Sequence, residues 1–368
     1  MYGKRLFSDF TRFSKRYGGY SGIIAAAAVV VQSTPELKAE ESGSFKVAQS
    51  KTSSSVKISR KICSSVDSSG WNLRLYQYQT CPFCSKVRTF LTYYGFSFEV
   101  VEVNPVTRKQ IKFSDYKKVP IVIVQGENNK ELHDSPLIVS IIRSWLLDPK
   151  STLADVEKCY ETTVAVPDPR SSKKTIAKVP NRYFLMAGDD ISEKEMEKFT
   201  EERHWRQWCD DQLVHVLSPN VYRTFEEALE SFHWFSDVGD WENQFPAWER
   251  WMVIYVGATV MYWIGKRLKK RHGLKDDVRQ SLYDCCKQFL IAKGAHRKFM
   301  GGDRPNLADL EIYGTLTAIE GCRAFQDLLE NVKIKSWYEA MKKEVENQNG
   351  ANILAARMKE AKRLMSSV

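Results

Sequence analysis

The chain has 368 residues, of which 43% are hydrophobic, enough for two folded domains and inconsistent with a wholly disordered protein. Its eight cysteines are too few for a disulfide scaffold, and the single CxxC motif, Cys81 to Cys84, lacks the second pair that a zinc site needs. Residues 1–70 carry 11 Lys and Arg against 5 Asp and Glu and hold most of the net charge of +10, so we expect no nucleic-acid partner for the rest of the chain. Because the CxxC motif stands alone, we also expect no bound metal.

The N-terminal region has the composition of a targeting segment rather than of a folded domain. Basic side chains interleave with aromatic ones over residues 1–20, and an apolar run follows from Gly22 to Val31. Such segments are typical of mitochondrial presequences and membrane-surface helices, so residues 1–31 are predicted to target or tether the chain. A secretory signal and a disordered basic tail are the alternatives, and unpaired cysteines argue against secretion. Residues 32–70, rich in Ser, Lys, Glu and Thr, are predicted to be a disordered linker.

Residues 71–147 alternate strand and helix patterns. Apolar residues alternate from Leu73, and a helical spacing of apolar residues runs from the CxxC motif to Gly95. Further strands are predicted at 97–103, 119–124 and 131–133, and further helices at 106–116 and 135–146. The order βαβ followed by ββα is that of a thioredoxin/glutaredoxin-like domain.

The CxxC motif lies where the first strand meets the first helix. Cys81 stands at the first helical turn, before Pro82, so free backbone N–H groups and the positive end of the helix dipole favour its thiolate. Lys86 and Arg88 are expected to add positive potential. We therefore predict Cys81 as an exposed nucleophile and Cys84, one turn later, as a more buried candidate resolving thiol. Two ordinary buried cysteines are the alternative.

Two other motifs are predicted to adjoin this corner. Val119-Pro120 opens the third strand, where this fold places a cis-proline, and the Val119 backbone would then pair with a peptide-like ligand. An ordinary trans proline at a sheet edge is the alternative. Asp134-Ser135 opens the last helix of the domain, either as a simple N-cap or as a site for a small carboxylate. This pair resembles the glutathione site of glutathione transferases.

The second half of the chain is predicted to be helical. Residues 148–192 contain four prolines and are predicted to be an irregular connector, residues 193–346 a helical domain and residues 347–368 a C-terminal tail. Asn306 and Asp309 are spaced as a capping box at the start of an apolar helix, which indicates a role in stability. The fold class is therefore α/β plus all-α, with a glutathione-transferase-type helical domain after the thioredoxin-like one.

Several longer motifs resemble the membrane-associated prostaglandin E synthase type 2 family, a member of the glutathione-transferase-like superfamily. The resemblance covers nearly all of residues 71–340. The motifs that carry it lie at residues 76–88, 101–106, 117–121, 215–223, 266–269, 300–302 and 305–310.

The resemblance implies an isomerase of prostaglandin and fatty-acid biosynthesis that converts prostaglandin H, a lipid endoperoxide, to prostaglandin E. Cys81 is then expected to interact with one endoperoxide oxygen while the carbon bearing the other loses its hydrogen. Tyr78 matches the family's second essential position and is expected to donate a hydrogen bond to the thiolate or the leaving oxygen. Phe83 is expected to line the apolar substrate pocket.

The resemblance also implies cofactors and partners. Val119, Asp134 and Ser135 match positions that contact glutathione, beside Pro120, so glutathione or another thiol is the expected activator. It further implies haem bound through the glutathione thiol, a homodimer and membrane association through the N-terminal segment. The expected location is a mitochondrial membrane, or a Golgi membrane with a cytoplasmic form after removal of the N-terminus. Two other functions stay open, a glutaredoxin-like thiol-disulfide oxidoreductase and a non-catalytic glutathione- or haem-binding protein.

Overall fold

The computed structural model describes residues 56–126, 129–168, 171–186 and 192–366. The predicted targeting segment, residues 1–31, and residues 32–55 of the predicted linker lie outside the described residues.

A five-stranded mixed sheet forms the first part of the fold. Its strands are β1 (Arg60–Ile62), β2 (Asn72–Gln77), β3 (Phe98–Glu102), β4 (Ile121–Gln125) and β5 (Lys130–His133), in the spatial order β1-β3-β2-β4-β5. Only β2 and β3 run parallel, because helix α1 (Pro82–Tyr93) crosses between them, and α2 (Ser135–Leu147) follows β5. Leu75 in the centre pairs with Val100 and Val122, and all three are buried. The predicted thioredoxin-like order is confirmed.

Residues 60–62 of the predicted linker form strand β1 of this sheet, and the segment up to residue 70 bonds to it, so the prediction of a linker was wrong there. Strand β1 pairs antiparallel with β3, and the Ser59 N–H donates to the Val100 carbonyl at 2.8 Å. Asp67 Oδ2 accepts the Ser97 N–H at 2.6 Å. The segment is polar because it satisfies hydrogen-bonding groups at the sheet edge rather than burying apolar side chains.

The predicted helix at 106–116 was also wrong. The structure has one 3₁₀ turn there, Lys109–Ile111. The Asn104 side chain accepts the backbone N–H groups of Val106 and Thr107, both at 2.9 Å. This local bonding competes with helix formation and keeps the segment a loop.

The remainder of the described chain is largely helical. After α3 (Leu153–Lys158) and the hairpin β6 (Val164–Asp168) and β7 (Ser171–Lys178), the helices are α4 (Glu193–Trp208), a π-helical segment (Cys209–Leu213), α5 (Val214–Val221), α6 (Phe225–Val238), α7 (Trp241–Gln244), α8 (Ala247–Arg271), α9 (Val278–Lys293), α10 (Leu307–Thr317), α11 (Arg323–Asn331), α12 (Lys335–Glu346) and α13 (Ala351–Ser366). The predicted capping box is confirmed: the Asp309 N–H donates to Asn306 Oδ1 at 3.1 Å, and the Asn306 N–H to Asp309 Oδ2 at 3.2 Å. Within the described segments, none of the helices is both long enough and apolar enough to cross a membrane.

The predicted C-terminal tail is instead helix α13. Leu354 is fully buried, and the Arg357 guanidinium lies 3.6 Å from the centre of the Trp145 ring in α2. Arg357 also donates to the carbonyls of Trp145 and Ser151 at 3.1 and 2.9 Å. A basic side chain that looks solvent-exposed in the sequence therefore fixes the last helix to the thioredoxin-like domain.

Helix α1 rests directly on the helical domain. A Cβ atom added at Gly314 of α10 would lie 2.9 Å from the Lys86 Cα atom and 2.9 Å from the Ser85 carbonyl oxygen. Only glycine permits so close an approach of the two backbones. The helix that begins at the CxxC motif is therefore held from its opposite side by α10.

Candidate functional site

The two cysteines of the CxxC motif differ in exposure, as the sequence predicts. Cys81 is the N-cap residue of α1 and is partly exposed, whereas Cys84 is 0% exposed. Favourable interactions with the Cys84 thiol and with the backbone N–H groups at the start of α1 outweigh burial, and they lower the pKa of Cys81 below that of an ordinary thiol. Burial raises the pKa of Cys84 well above the ordinary value.

Of the two basic residues expected to assist Cys81, one does so and the other does not. Arg88 donates to Gln77 Oε1 at 2.6 Å and Ser85 Oγ at 2.7 Å, and its charge helps to lower the pKa of Cys81. Lys86 is fully buried and bonds to Asp210 of the π-helical segment, so the prediction that it acts on Cys81 was wrong. It also lies 5.7 Å from the centre of the Phe83 ring.

A buried carboxylate that the sequence analysis missed holds the turn between β2 and α1. Glu102, the last residue of β3, accepts the Gln79 N–H at 2.7 Å and lies 3.4 Å from Gln77 Nε2. Burial raises the pKa of Glu102 to about 7, against the lowering effect of the Gln79 N–H. The turn that presents Cys81 is therefore tied to the neighbouring strand.

Tyr78 precedes the CxxC motif, and its carbonyl accepts the Cys81 N–H at 3.1 Å. Burial raises the pKa of its hydroxyl to about 12, the charge of Arg108 opposes this shift, and the charges of Cys81 and Cys84 add to it. Arg108 has a left-handed backbone, with φ of 48°, and its Nη1 donates to the Lys117 carbonyl at 3.3 Å. Nothing in the sequence marks Arg108, because its approach to Tyr78 depends on the loop that Asn104 organises.

Two further tyrosines, also missed from the sequence, interact electrostatically with Cys81. Tyr116 stacks on His133 with ring centres 4.5 Å apart, and its pKa is raised by burial and by the charges of Asp134 and Cys81. Tyr222, at the end of α5, also has a pKa raised by burial, with a contribution from the Cys81 charge. Phenol groups from both domains therefore interact electrostatically with the Cys81 charge.

The peptide bond between Val119 and Pro120 is cis, as predicted. The antiparallel ladder between β2 and β4 pairs Tyr76 with Ile121, so the continuation of this register brings Val119 next to Tyr78. The cis-proline loop and the CxxC motif therefore occupy one corner of the sheet.

The Asp134-Ser135 pair is not a simple N-cap in the described structure. Asp134 has a φ of 69° and does not cap α2 with its side chain; its Oδ2 instead accepts a hydrogen bond from Arg182 Nη1 at 3.1 Å. Burial raises the pKa of Asp134, and Arg182 opposes that shift. Ser135 is 1% exposed, and its hydroxyl has no hydrogen-bond partner among the described residues.

Behind this pair, a chain of buried polar groups links the two domains. The Tyr183 hydroxyl accepts a bond from Arg182 Nη2 at 2.9 Å and donates to Asp210 at 2.8 Å. Asp210 bonds to Lys86, Lys86 lies 3.5 Å from Glu311, and Arg206 Nε donates to Glu311 at 2.6 Å. The members of this interdomain charge network are Arg182, Tyr183, Asp210, Lys86, Glu311 and Arg206.

Comparisons with known proteins identify relatives of this chain. A sequence model of the glutaredoxin family matches residues 73–128. Prostaglandin E synthase 2 of Mus musculus is 46% identical over 287 residues, which are 76% of this chain and 72% of the mouse protein. The protein of the same name from Danio rerio is 43% identical over 279 residues, 74% of this chain and 70% of its own. A solved glutathione transferase from Populus trichocarpa superposes with a TM-score of 0.40 at 16% identity, covering 78% of this chain and 99% of that one.

Proposed function

The chain belongs to the prostaglandin E synthase 2 family, and on that premise we propose that it isomerises the endoperoxide prostaglandin H to prostaglandin E at Cys81. The observation that carries this proposal is the environment of the Cys81 sulfur. Cys81 is partly exposed, the Cys84 thiol and the first N–H groups of α1 favour its thiolate, and its charge acts on the Tyr78 hydroxyl. A stabilised thiolate next to a proton donor suits the cleavage of a weak O–O bond.

The first step is an attack of the Cys81 thiolate on one endoperoxide oxygen. An S–O bond forms, the O–O bond breaks, and the second oxygen leaves as an alkoxide. Tyr78 gives its proton to this alkoxide, which becomes the hydroxyl group of the product. Because burial raises the pKa of Tyr78 to about 12, the resulting phenolate is a strong base.

The second step restores both residues. The Tyr78 phenolate removes the proton from the carbon whose oxygen is bonded to sulfur, the C–H electron pair forms the carbonyl, and the S–O bond breaks to release the thiolate. Substrate and product contain the same atoms, so no external oxidant or reductant is consumed. In this route the sulfur is bonded to the oxygen of the carbon that loses its hydrogen.

A thiol peptide fits beside this centre. Val119, preceding the cis-proline, offers backbone groups to a peptide, and Asp134 and Ser135 lie at the start of α2. We propose glutathione as the activator, although any thiol that reduces a Cys81–Cys84 disulfide, and is itself oxidised, serves the same purpose.

The direct test is to incubate the purified full chain with prostaglandin H and either glutathione or dithiothreitol. Prostaglandin E is then quantified by mass spectrometry against the spontaneous rate with boiled protein. We expect enzymatic formation of prostaglandin E with both thiols. Product at only the spontaneous rate would reject the isomerase proposal.

A glutaredoxin-like oxidoreductase is the second candidate function. The glutaredoxin match over residues 73–128 and the interaction between the two thiols favour it. The Cys84→Ser variant separates the two candidates, because only a dithiol mechanism requires a sulfur at position 84. If this variant loses disulfide reductase activity and keeps isomerase activity, disulfide reduction requires Cys84 and isomerisation does not.

Removal of the Tyr78 hydroxyl is predicted to slow the reaction. In Tyr78→Phe the alkoxide has no nearby proton donor, so kcat is expected to fall roughly 100-fold, a common loss for a general acid. Steady-state kinetics with prostaglandin H measure the effect, and the rate of Cys81 alkylation by iodoacetamide shows whether the thiol is still reactive. A wild-type kcat in Tyr78→Phe would assign proton transfer to another group.

The remaining features of the proposal rest on the family resemblance. They are a homodimer, membrane association through residues 1–31 and a mitochondrial location, with a Golgi membrane and a cytoplasmic form as the alternative. Haem also rests on this resemblance, and its iron would take its axial ligand from the sulfur of a bound thiol.

A further inference from the structure

We propose that Ser59 and Arg60 are positioning residues that fix the turn presenting Cys81. Both belong to residues 56–62, the N-terminal strap, which contains strand β1 and pairs with β3 at the edge of the sheet. The inference rests on the proposed function only in taking Cys81 as the reactive thiol. The effect of the strap on this thiol passes through Gln79, which lies in the turn between β2 and α1, two residues before Cys81.

The backbone and the side-chain oxygen of Gln79 are all bonded to surrounding residues. Its N–H donates to Glu102 Oε1 at 2.7 Å, and its carbonyl accepts from Arg88 Nη2 at 3.1 Å. Its side-chain oxygen accepts from Gln77 Nε2 at 2.7 Å and also from Arg60 Nη2. A residue held at backbone and side chain together has little conformational freedom, so these bonds set the path of the chain into the CxxC motif.

The N-terminal strap reaches this turn by two routes. Arg60 donates directly to the Gln79 side chain. Ser59 acts one step away, because its Oγ accepts the Glu102 N–H at 2.8 Å and the Glu102 carboxylate accepts the Gln79 N–H. Two consecutive residues of the strap therefore act on the side chain and on the backbone of Gln79.

The N-terminal strap is anchored to both domains. Val56 and Ile58 pack against an apolar cluster of the thioredoxin-like domain, and the side chain of Cys81 packs against the same cluster. Lys57 donates to the carbonyl of Asn243, which lies in α7 of the helical domain. These contacts precede β1 in the chain and hold the strap next to the turn.

The hold on Gln79 depends on the charge of Glu102. Burial raises the pKa of Glu102 to about 7, and the charges of Arg60 and Arg88 oppose this shift, as do the bonds from Gln77 and Gln79. Without Arg60 the pKa of Glu102 rises further, so more of this residue is protonated near neutral pH and binds the Gln79 N–H less strongly. A looser turn aligns the thiol less well with the first N–H groups of α1, which favour its thiolate.

The pH profile of Cys81 alkylation in the reduced full chain tests this assignment. Iodoacetamide is the probe, and tandem mass spectrometry locates the modified cysteine in each peptide. The variants are Arg60→Met, which removes the charge and the donor, and Arg60→Lys, which keeps the charge. Lys61→Met is the matched control, because Lys61 is the next residue of β1 and pairs with Glu99 at 3.0 Å.

We expect Arg60→Met to move the acid limb of the Cys81 profile to higher pH and to slow alkylation roughly 3- to 10-fold near neutral pH. Arg60→Lys should recover part of the rate, and Lys61→Met should coincide with the wild type. The fully buried Cys84 should stay unmodified in every variant, whereas a general loosening of the fold would expose it. A wild-type profile in Arg60→Met would overturn the proposal.

A second variant covers the case in which Arg60→Met does not fold. Ser59→Ala removes the acceptor of the Glu102 N–H and should shift the Cys81 profile in the same direction. A wild-type profile in Ser59→Ala would then overturn the proposal.

The outcome is separable from that of the proposed function, because alkylation does not involve prostaglandin H. A profile that depends on Arg60, in a chain that forms no prostaglandin E, would support the positioning role and reject the isomerase. Isomerase activity together with a profile that ignores Arg60 would support the isomerase and reject the positioning role.

Discussion

Cys81→Ser is expected to lower kcat/KM for prostaglandin H by more than about 100-fold, because a serine hydroxyl remains protonated at neutral pH and cannot replace the thiolate. The loss should appear with either thiol activator. Far-UV circular dichroism and the urea midpoint should match the wild type, since Cys81 is an N-cap residue that caps α1 without a side-chain hydrogen bond. Full activity in Cys81→Ser would move the chemistry to another residue.

The pH dependence of the wild type follows from the same sulfur. Because the thiolate is the active form, activity should fall as the pH drops through the Cys81 pKa, which the interaction with the Cys84 thiol lowers below that of an ordinary thiol. In Cys84→Ala this interaction is lost and the acid limb should move to higher pH, whereas Cys84→Ser retains a donor group and should shift it less. The rate of iodoacetamide alkylation against pH provides an independent reading. Coincident profiles for Cys84→Ala and the wild type would contradict this origin of the low pKa.

Lys86→Met is expected to reduce the free energy of unfolding by about 3–5 kcal/mol, the usual cost of removing one partner from a buried ion pair. Lys86 is fully buried, and its loss leaves the carboxylates of Asp210 and Glu311 facing each other without this cation. Urea denaturation of the full chain, followed by tryptophan fluorescence, measures the effect.

Two variants control for this interpretation. Lys61→Met removes a lysine whose side chain is 66% exposed and pairs with Glu99, so its cost should stay below about 1 kcal/mol. Adding Asp210→Asn to Lys86→Met should recover part of the loss, because the remaining Glu311 carboxylate is still paired with Arg206. A loss in Lys86→Met no larger than that in Lys61→Met would show that the interdomain charge network contributes little to stability.

The central residues of the site were predictable because their signals are local. Cys81 precedes a proline at a strand-to-helix junction, and Val119-Pro120 opens a strand, so short patterns identify both. Helix geometry also explains why Lys86 does not act on Cys81. Arg88 follows Cys81 by seven residues and returns to the same face of α1, whereas Lys86 follows by five and points roughly 140° away.

The contacts that complete the site are not local. Arg182 and Asp134 are 48 residues apart, and Lys86 and Glu311 are 225 residues apart, so no sequence window contains both partners. Asp210 reaches Lys86 from a π-helical segment, which apolar periodicity does not reveal. Charged residues such as Arg206 appear solvent-exposed in the sequence but are buried because each has a distant partner.

Strand β1 limits how far the N-terminal region can be shortened. Its pairing from Arg60 to Ile62 covers the outer side of β3, and proteolysis after residue 70 would remove it. The exposed groups of β3 would then be free to recruit a strand from another molecule, a common route to aggregation. A recombinant protein intended to stay monodisperse should therefore begin before Val56 rather than at Trp71.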